Sequence, residues 1–322
     1  MMTNPWLARR APGAPLAVTV GCMNFGGRTS ADESTRIVHR ALERGVAAFD
    51  VANVYNGGES ERLLGRALRG REAFVATKCG LDGLSSGKPE GLGRETVLRA
   101  LDASLARLGV GSVALYYLHS PDRATPFAET LDALEALRGA GKLERFAVSN
   151  YSSWEVLETA LACDERGAPR PAASQVIYNA AIRQIELEHL RFCARYSVHV
   201  TVYNPLAGGL LAGRATRGAA PEPGSRLATN RMYKKRYLSD RMLAFAEAIK
   251  AIADGAGRTM ADVAYGWLAA QERVDSVILG PASVAQLDAA LDALARPLPE
   301  ATLAALADLQ RDFDGTDATY AR

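Results

Sequence analysis

The feature that most constrains the fold is a repeated alternation between short apolar runs and longer amphipathic segments. Eight runs rich in Val, Ile, Phe or Tyr are typical of strands, at 16–21, 46–51, 73–78, 113–119, 144–150, 173–179, 198–204 and 276–280. Segments with apolar residues at i, i+3, i+4 and i+7 predict helices, for example at 31–45, 94–109, 127–141 and 153–167. Strands that are apolar along most of their length, joined by helices, predict a parallel sheet buried on both faces.

The count of strands decides between two ways of arranging such a sheet. Eight units in 322 residues favour a closed (β/α)8 barrel over an open doubly wound sheet, so we predict one barrel domain over residues 1–322. Residues 205–239 break the rhythm, because they separate the seventh run from a helix expected to begin near Asp240. A loop of that length is usually functional. In such barrels the active site lies at the C-terminal ends of the strands, so we expect it there and in this loop.

Composition excludes several classes of function. The 38 Lys and Arg residues against 36 Asp and Glu leave a net charge of +2, without the basic excess typical of nucleic-acid binding. The sequence has no apolar run long enough to span a membrane, and its first residues do not contain the apolar core of a signal peptide. We therefore expect no membrane association. The four cysteines lie far apart without metal or redox spacing, which favours a reduced, cytoplasmic protein.

Two polar positions receive structural interpretations. His189 lies near Glu186 and Glu188 but has no second nitrogen ligand nearby, so we expect a solvated helix face and no metal site. Ser152 precedes an amphipathic segment and is expected to cap that helix.

Four polar residues stand at or just beyond the ends of neighbouring strand-like runs: Asp50, Tyr55, Lys78 and His119. Each has a structural explanation when taken singly, as a cap, an extended surface side chain or a core histidine. A barrel would bring all four together at its rim.

Together these four residues can form a proton-transfer site. The pKa of a free tyrosine is near 10, and an ammonium within about 4–6 Å favours the phenolate. A carboxylate would hold the lysine in place, and a histidine could orient a substrate oxygen. The set suits a general acid for a carbonyl oxygen that becomes an alkoxide. Because it carries no electrons, a hydride donor must come from a cofactor.

The residues around this set resemble the aldo-keto reductases, which are NADPH-dependent (β/α)8 barrels. Residues 49–65, FDVANVYNGGESERLLG, match the family pattern F-D-T-A-x-x-Y-x-x-G-x-S-E-x-x-L-G, with Val51 in place of threonine. Further blocks follow in family order: VATKCG, YYLHSPD, AVSNYSSWE, SQVIYNAAIRQ, VTVYNPLAGGLLAG and SVILGPASVAQLD. Details such as YNPLAGGLLAG and the ending TYAR are similar to the aflatoxin aldehyde and succinic semialdehyde reductases.

The resemblance implies a role for each catalytic candidate. Tyr55 would be the proton donor, Lys78 would lower its pKa, Asp50 would support Lys78, and His119 would contact the substrate carbonyl. Substrate carboxylates would meet three further residues, which are Tyr233, Arg236 and Arg322. Arginine suits that task because its planar fork pairs bidentately with a carboxylate.

The same resemblance implies a set of cofactor-binding residues. The nicotinamide amide would be held by Ser149, Asn150 and Gln175, and Tyr203 would stack on its ring. The phosphates and adenosine would contact Asn204, Pro205, Leu206, Ala207, Gly208, Gly209, Leu210, Arg214, Arg226, Ser283 and Gln286. Ala282 and Ala290 depart from the family, since both positions usually help to hold the 2′-phosphate or the adenine. The resemblance implies NADPH as the cofactor, and these two departures leave NADH as an alternative.

These observations predict NADPH-dependent reduction of aldehydes, including carboxylated or dicarbonyl ones, to alcohols by hydride transfer. Two alternatives stay open. Potassium-channel beta subunits share the fold and bind the cofactor while docking to a membrane protein, although the late sequence blocks favour the reductases. Oxidation of a sugar or polyol is the same chemistry in reverse. The expected partner is a small carbonyl substrate, and a homodimer stays open because the resembled branch is often dimeric.

Overall fold

Eight parallel strands close into a barrel. The structure, a computed structural model, describes residues 5–81, 90–316 and 318. The strands follow chain order around the barrel, and the last pairs with the first. They are β1 (Ala17–Gly21), β2 (Ala48–Asp50), β3 (Phe74–Cys79), β4 (Val113–Leu118), β5 (Leu143–Ser149), β6 (Ala173–Ile177), β7 (His199–Tyr203) and β8 (Ser276–Leu279). The (β/α)8 prediction is confirmed, and each strand coincides with a predicted run to within about two residues, the usual uncertainty of element ends.

Helices connect the strands and cover the outside of the barrel. They are α1 (Ala31–Glu43), α2 (Glu59–Ala67), α3 (Arg94–Leu108), α4 (Phe127–Gly139), α5 (Ser153–Glu165), α6 (His189–Arg195), α7 (Arg226–Thr229), α8 (Arg231–Tyr237), α9 (Asp240–Gly255), α10 (Met260–Ala269), α11 (Val284–Leu294) and α12 (Glu300–Asp314). The four predicted amphipathic segments form α1, α3, α4 and α5. Among the residues described, no helix is long and apolar enough to cross a membrane.

The long connection after β7 carries short helices of its own. A 3-10 helix covers Ala207–Ala212, α7 and α8 follow, and α9 begins at Asp240 as predicted. Asn230 starts α8, because its side-chain oxygen accepts from the backbone N–H groups of Met232 and Tyr233. This cap fixes the start of α8 within the connection.

The turn after β2 lies at the barrel mouth and reverses the chain into α2. Asn56, Gly57 and Gly58 have φ values of 49°, 63° and 83°, a left-handed run that favours glycine. A Cβ at position 58 would lie 2.6 Å from Cδ of Arg107, so the turn also needs the missing side chain. Asn56 Nδ2 donates to the carbonyl of Phe25 at 2.8 Å, which joins this turn to the segment after β1.

Helix α5 begins where the sequence predicts, and the first turn of α6, which carries His189, is buried. Glu155 accepts from both the backbone N–H and the hydroxyl of Ser152, which confirms the expected cap. His189 is only 5% exposed, with Nδ1 2.8 Å from Ser153 Oγ and Nε2 3.0 Å from Ser174 Oγ. The solvated-face prediction for His189 was therefore wrong, because the first turn of α6 packs between α5 and β6.

The N-terminal segment closes the end of the barrel opposite the strand C-termini. Trp6 packs on Phe74, with ring centroids 6.5 Å apart. Asp275, whose side chain is 1% exposed, accepts from Arg9 Nε at 3.1 Å and from the Arg10 backbone N–H at 2.7 Å. Its other oxygen accepts from the backbone N–H of Val200 at 2.7 Å. One carboxylate thus ties the chain start to β7 and β8.

We expect Asp275→Ala to lower the free energy of unfolding by about 3 kcal/mol, because it leaves a half-buried guanidinium and two backbone donors without their acceptor. Urea unfolding followed by circular dichroism measures the change. Asp312→Ala, at an exposed position on α12, is the matched control and should change stability little. Equal stability of the two variants would contradict this role for Asp275.

Candidate active site

A cavity of 710 Å³ opens at the C-terminal ends of the strands. Asp50, Tyr55 and His119 line it, and so do the predicted substrate residues Tyr233 and Arg236. The predicted cofactor residues that line it are Ser149, Asn150, Gln175, Tyr203, Asn204, Pro205, Leu206, Gly208, Gly209, Arg214, Arg226 and Gln286. Predicted residues from many strands and loops therefore face one space.

Some predicted residues do not line this cavity. Ala207 and Leu210 are fully buried, and Ser283 caps α11 by accepting from the backbone N–H of Gln286. Lys78 lies beneath the cavity with no exposed side-chain surface. Arg322 lies outside the described residues.

A buried ion pair forms the floor of the cavity. The ammonium of Lys78 donates to Asp50 Oδ1 and, at 2.8 Å, to the carbonyl of Val51. Gln175 Nε2 donates to the other oxygen of Asp50 at 3.0 Å. Buried charges are tolerated only when they are paired and their remaining hydrogen bonds are satisfied. These contacts meet both conditions and tie β2, β3 and β6 together at the site.

Tyr55 lies over this pair, with its ring centroid 5.2 Å from Lys78 Nζ. Burial raises the pKa of Tyr55 well above its usual value, and the charge of Asp50 raises it further. The net shift is upward, opposite to the direction predicted for the ammonium alone, because burial disfavours the phenolate and the carboxylate of Asp50 lies nearby. Tyr55 therefore keeps its proton at neutral pH.

His119 faces Tyr55 as a neutral imidazole. The two ring centroids lie 5.9 Å apart with an interplanar angle of 76°. Burial lowers the pKa of His119 well below its usual value, and the charge of Lys78 lowers it further. Its Nδ1 is buried and has no hydrogen-bond partner among the described residues. An orphaned nitrogen of this kind beside a cavity suits a polar ligand.

Asn150 and Tyr203 form a ledge above β5 and β7. Asn150 has φ of 63°, and its Nδ2 donates to the carbonyl of His119 at 2.8 Å. Its Oδ1 accepts from the hydroxyl of Tyr203 at 2.7 Å. Burial raises the pKa of Tyr203 to about 12, so the ring that borders the cavity is uncharged.

Arginines from three parts of the chain face the same cavity. Arg226 donates to the Tyr233 hydroxyl at 3.1 Å and to Asn24 Oδ1 at 2.9 Å. Arg214 pairs with Glu222 at 2.5 Å. Arg28 also lines the cavity and was missed by the sequence prediction. Its place in the loop after β1 was the one signal for it in the sequence, but its approach to the cavity depends on packing of that loop against the segment after β8.

Comparison with known proteins assigns the family. The family model described as "Aldo/keto reductase family" matches residues 17–311. The chain belongs to the aldo/keto reductase family. It is 34% identical over 302 residues to aflatoxin B1 aldehyde reductase member 2 of Rattus norvegicus, covering 87% of this chain and 81% of that protein. The family predicted from the sequence is thus confirmed.

Two further similarities concern other members of the aldo/keto reductase fold. The chain is 31% identical over 274 residues to a probable voltage-gated potassium channel subunit beta of Arabidopsis thaliana, covering 82% of this chain and 83% of that protein. A solved structure of a glycerol dehydrogenase from Gluconobacter oxydans superposes with a TM-score of 0.76 and 26% identity, covering 99% of each chain. Aldo-keto reductases use nicotinamide cofactors and act on carbonyl compounds, so this chain is an oxidoreductase of that kind.

We expect the free energy of unfolding to fall as the pH drops below about 6.5, the ordinary pKa of histidine. Burial lowers the pKa of His119, His189 and His199, so below pH 6.5 the unfolded chain binds protons that the folded chain does not. Each such histidine contributes up to about 1.4 kcal/mol per pH unit.

Urea unfolding between pH 7.5 and about pH 5.5 measures this slope. His119→Gln should reduce the slope by about one proton over this range, because it removes one of the buried imidazoles. A variant that keeps the wild-type slope would contradict the role assigned to burial of His119.

Proposed function

We propose that this aldo/keto reductase reduces aldehydes to alcohols with NADPH, using Tyr55 as the proton donor. The observation that carries the proposal is the meeting of Tyr55 and His119 over the Asp50–Lys78 pair in a cavity that also holds several arginines. A phenol, a neutral imidazole and a buried cation are the groups that carbonyl reduction requires at the oxygen.

The residues present fit a phosphorylated nicotinamide cofactor. The volume of 710 Å³ lies within the roughly 300–1,000 Å³ usual for ligand and cofactor sites. Ser149, Asn150 and Gln175 would hold the carboxamide, and the ring of Tyr203 would support the nicotinamide. Gly208, with φ of 70°, brings the backbone of the long connection close to the cavity, and a Cβ there would lie 2.5 Å from Cδ1 of Tyr233.

The proposed mechanism follows from the charge states of the site. The cofactor, when bound, supplies the hydride to the carbonyl carbon. Tyr55 donates its hydroxyl proton to the carbonyl oxygen, which is feasible despite its raised pKa because an alkoxide is a much stronger base than a phenolate. Lys78 stabilises the phenolate as it forms, and Asp50 holds Lys78 in place. His119 donates an N–H to the same oxygen and orients it.

We further propose that the substrates include aldehydes carrying a carboxylate or a second carbonyl. Arg236 lines the cavity, and its positive charge lies close enough to the hydroxyls of Tyr203 and Tyr237 to act on their pKa values. Tyr233, from the same helix α8, borders the cavity beside it. A guanidinium that borders the cavity without a carboxylate partner among the described residues can pair its planar fork with the carboxylate of a substrate.

Tyr55→Phe should lower the rate of reduction by about 10²–10⁴-fold, because it removes the proton donor and little else. The assay follows NADPH absorbance at ~340 nm, the usual measure of its oxidation, with succinic semialdehyde and 2-carboxybenzaldehyde. NADPH affinity, measured by cofactor fluorescence, should stay close to that of the wild type.

Tyr196→Phe, which alters an exposed tyrosine far from the cavity, is the control and should keep full activity. Full activity in Tyr55→Phe would refute the mechanism. A wild-type protein that binds NADPH but reduces no aldehyde or ketone would refute the reductase function.

Arg236→Met should raise the KM for 2-carboxybenzaldehyde by about 10- to 100-fold, the loss expected for a charge-assisted hydrogen bond. The KM for uncharged 2-nitrobenzaldehyde should change little. Lys235→Met, at an exposed position on the same helix, should leave both values unchanged. An equal rise for both aldehydes in Arg236→Met would mean that Arg236 does not recognise the carboxylate.

Oxidation of a polyol is the second candidate, supported by the similarity to the glycerol dehydrogenase. The same residues serve it, with the phenolate of Tyr55 accepting the hydroxyl proton. Glycerol with NADP⁺ belongs in the substrate panel, and faster turnover in that direction would favour it. A regulatory binding role, suggested by the potassium channel relative, predicts cofactor binding with negligible turnover of either substrate class.

A further inference from the structure

The positive charges around the cavity are not all matched by carboxylates. Glu222 pairs with Arg214, and Asp50 pairs with Lys78. Asp262 also lines the cavity, but it accepts from the backbone N–H of Thr259 as part of a helix cap. A surplus of cations therefore borders the space.

Arg236 is one of these surplus cations, and Arg28 and Arg226 are two others. Their hydrogen bonds go to neutral acceptors: Arg28 Nε donates to the carbonyl of Gly224 at 3.1 Å, and Arg226 donates to Tyr233 and Asn24. Within the described residues, neither guanidinium has a carboxylate partner in hydrogen-bond contact. Partial burial lowers the pKa of Arg28, the charges of Arg226 and Arg214 lower it further, and the charge of Glu222 offsets part of this effect. An anion placed among these groups would relieve their repulsion.

The loop that carries Arg28 packs against the segment after β8. Asn24 Nδ2 donates to the carbonyl of Gly280 at 3.0 Å, and Thr29 Oγ1 donates to the carbonyl of Ala282 at 3.4 Å. Glu33 accepts from the backbone N–H of Val284 at 2.8 Å. Arg28 thus lies at the rim beside the start of α11, with Gly224 of the long connection on its other side.

The segment beside Arg28 offers no charge of its own to an anion. Residues 280–290 that line the cavity are Gly280, Pro281, Gln286, Ala289 and Ala290. The Oε1 of Gln286 already accepts from the backbone N–H of Ala282 at 2.9 Å. Charge recognition at this rim must therefore come from a neighbouring element, and Arg28 is the cation that its loop brings there.

We propose that Arg28 binds the adenosine 2′-phosphate of the cofactor and makes this chain prefer NADPH over NADH. The inference rests on the proposed use of a nicotinamide dinucleotide and names the residue that selects between its two forms. A guanidinium binds a phosphate monoester through two parallel N–H donors, and the two cofactors differ only in that phosphate. Arginine near the ribose is a general means of accepting a 2′-phosphate.

Because Arg28 also contacts Gly224, the test must separate binding of the 2′-phosphate from structural support of the long connection. If Arg28 only held the long connection in place, its loss would weaken NADPH and NADH equally. Contact with the pyrophosphate, which both cofactors share, would also affect them equally. The ratio of the two dissociation constants is therefore the decisive quantity.

The experiment measures the dissociation constants of NADPH and NADH by cofactor fluorescence for the wild type, Arg28→Gln and Arg28→Lys. Arg28→Gln should weaken NADPH by roughly 10- to 100-fold and change NADH by less than about twofold. Arg28→Lys, which keeps the charge but loses the fork, should fall between them. Arg99→Gln, at an exposed position on α3, controls for net charge and should match the wild type.

Salt dependence gives a second readout. The affinity of the wild type for NADPH should fall more steeply between about 50 and 300 mM NaCl than that of Arg28→Gln, because one phosphate contact is lost. Equal weakening of both cofactors, or unchanged NADPH affinity in Arg28→Gln, would overturn the proposal.

The outcome for Arg28 is separable from the outcome for the proposed function. A wild type that binds NADPH selectively through Arg28 but reduces no carbonyl would refute the reductase function and support this inference. A wild type that binds neither dinucleotide would overturn both.

Discussion

The catalytic end of this barrel depends on the neutralisation of one buried charge by another. Lys78 has no exposed side-chain surface, and an isolated ammonium there would cost several kcal/mol. Asp50 cancels that charge, and hydrogen bonds from Gln175 and to the Val51 carbonyl complete the arrangement. Asp50 and Lys78 lie on the neighbouring strands β2 and β3 and Gln175 lies on β6, so the complete set of partners assembles only when the barrel is closed. The position of Tyr55 above the pair follows from the same closure.

Burial, more than charge, determines the protonation states of the site. It raises the pKa values of Tyr55 and Tyr203 and lowers that of His119, and in each case it is the largest cause. The rim is therefore a set of neutral hydrogen-bonding groups over an internally neutral ion pair. Such a site is organised to respond to a negative charge that develops on the ligand rather than to bind a charge already present at the reacting oxygen.

The sequence was sufficient for the barrel and for most of the residues around its mouth. Strand positions follow from local apolar runs, and the polar residue that ends each run marks the rim in any parallel barrel. Three features depended on contacts between distant segments. The burial of His189 arises from packing of α6 on α5 and β6, and the pKa of Tyr55 reflects a balance that requires distances. Arg28 joins the site through packing of the loop after β1 against the segment after β8.

The sequence analysis did not predict the short helices α7 and α8 in the connection after β7, because they too depend on contacts with distant segments. Segments as short as α7 and α8 are not stable alone, so local pattern is a weak guide to them. Their caps and the contacts of Tyr233 and Tyr237 with the barrel mouth hold them in place.

The ion pair between Arg9 and Asp275 joins residues 266 positions apart in the chain. β1 likewise finds its second neighbour only in β8. During synthesis, one edge of the sheet therefore stays unpaired until almost the whole chain has left the ribosome. Contacts of such long range slow folding, and an open strand edge is exposed to association with other chains. The pairing of β1 with β8 is thus the step of folding that has to wait longest for its second strand, although its first strand is synthesised early.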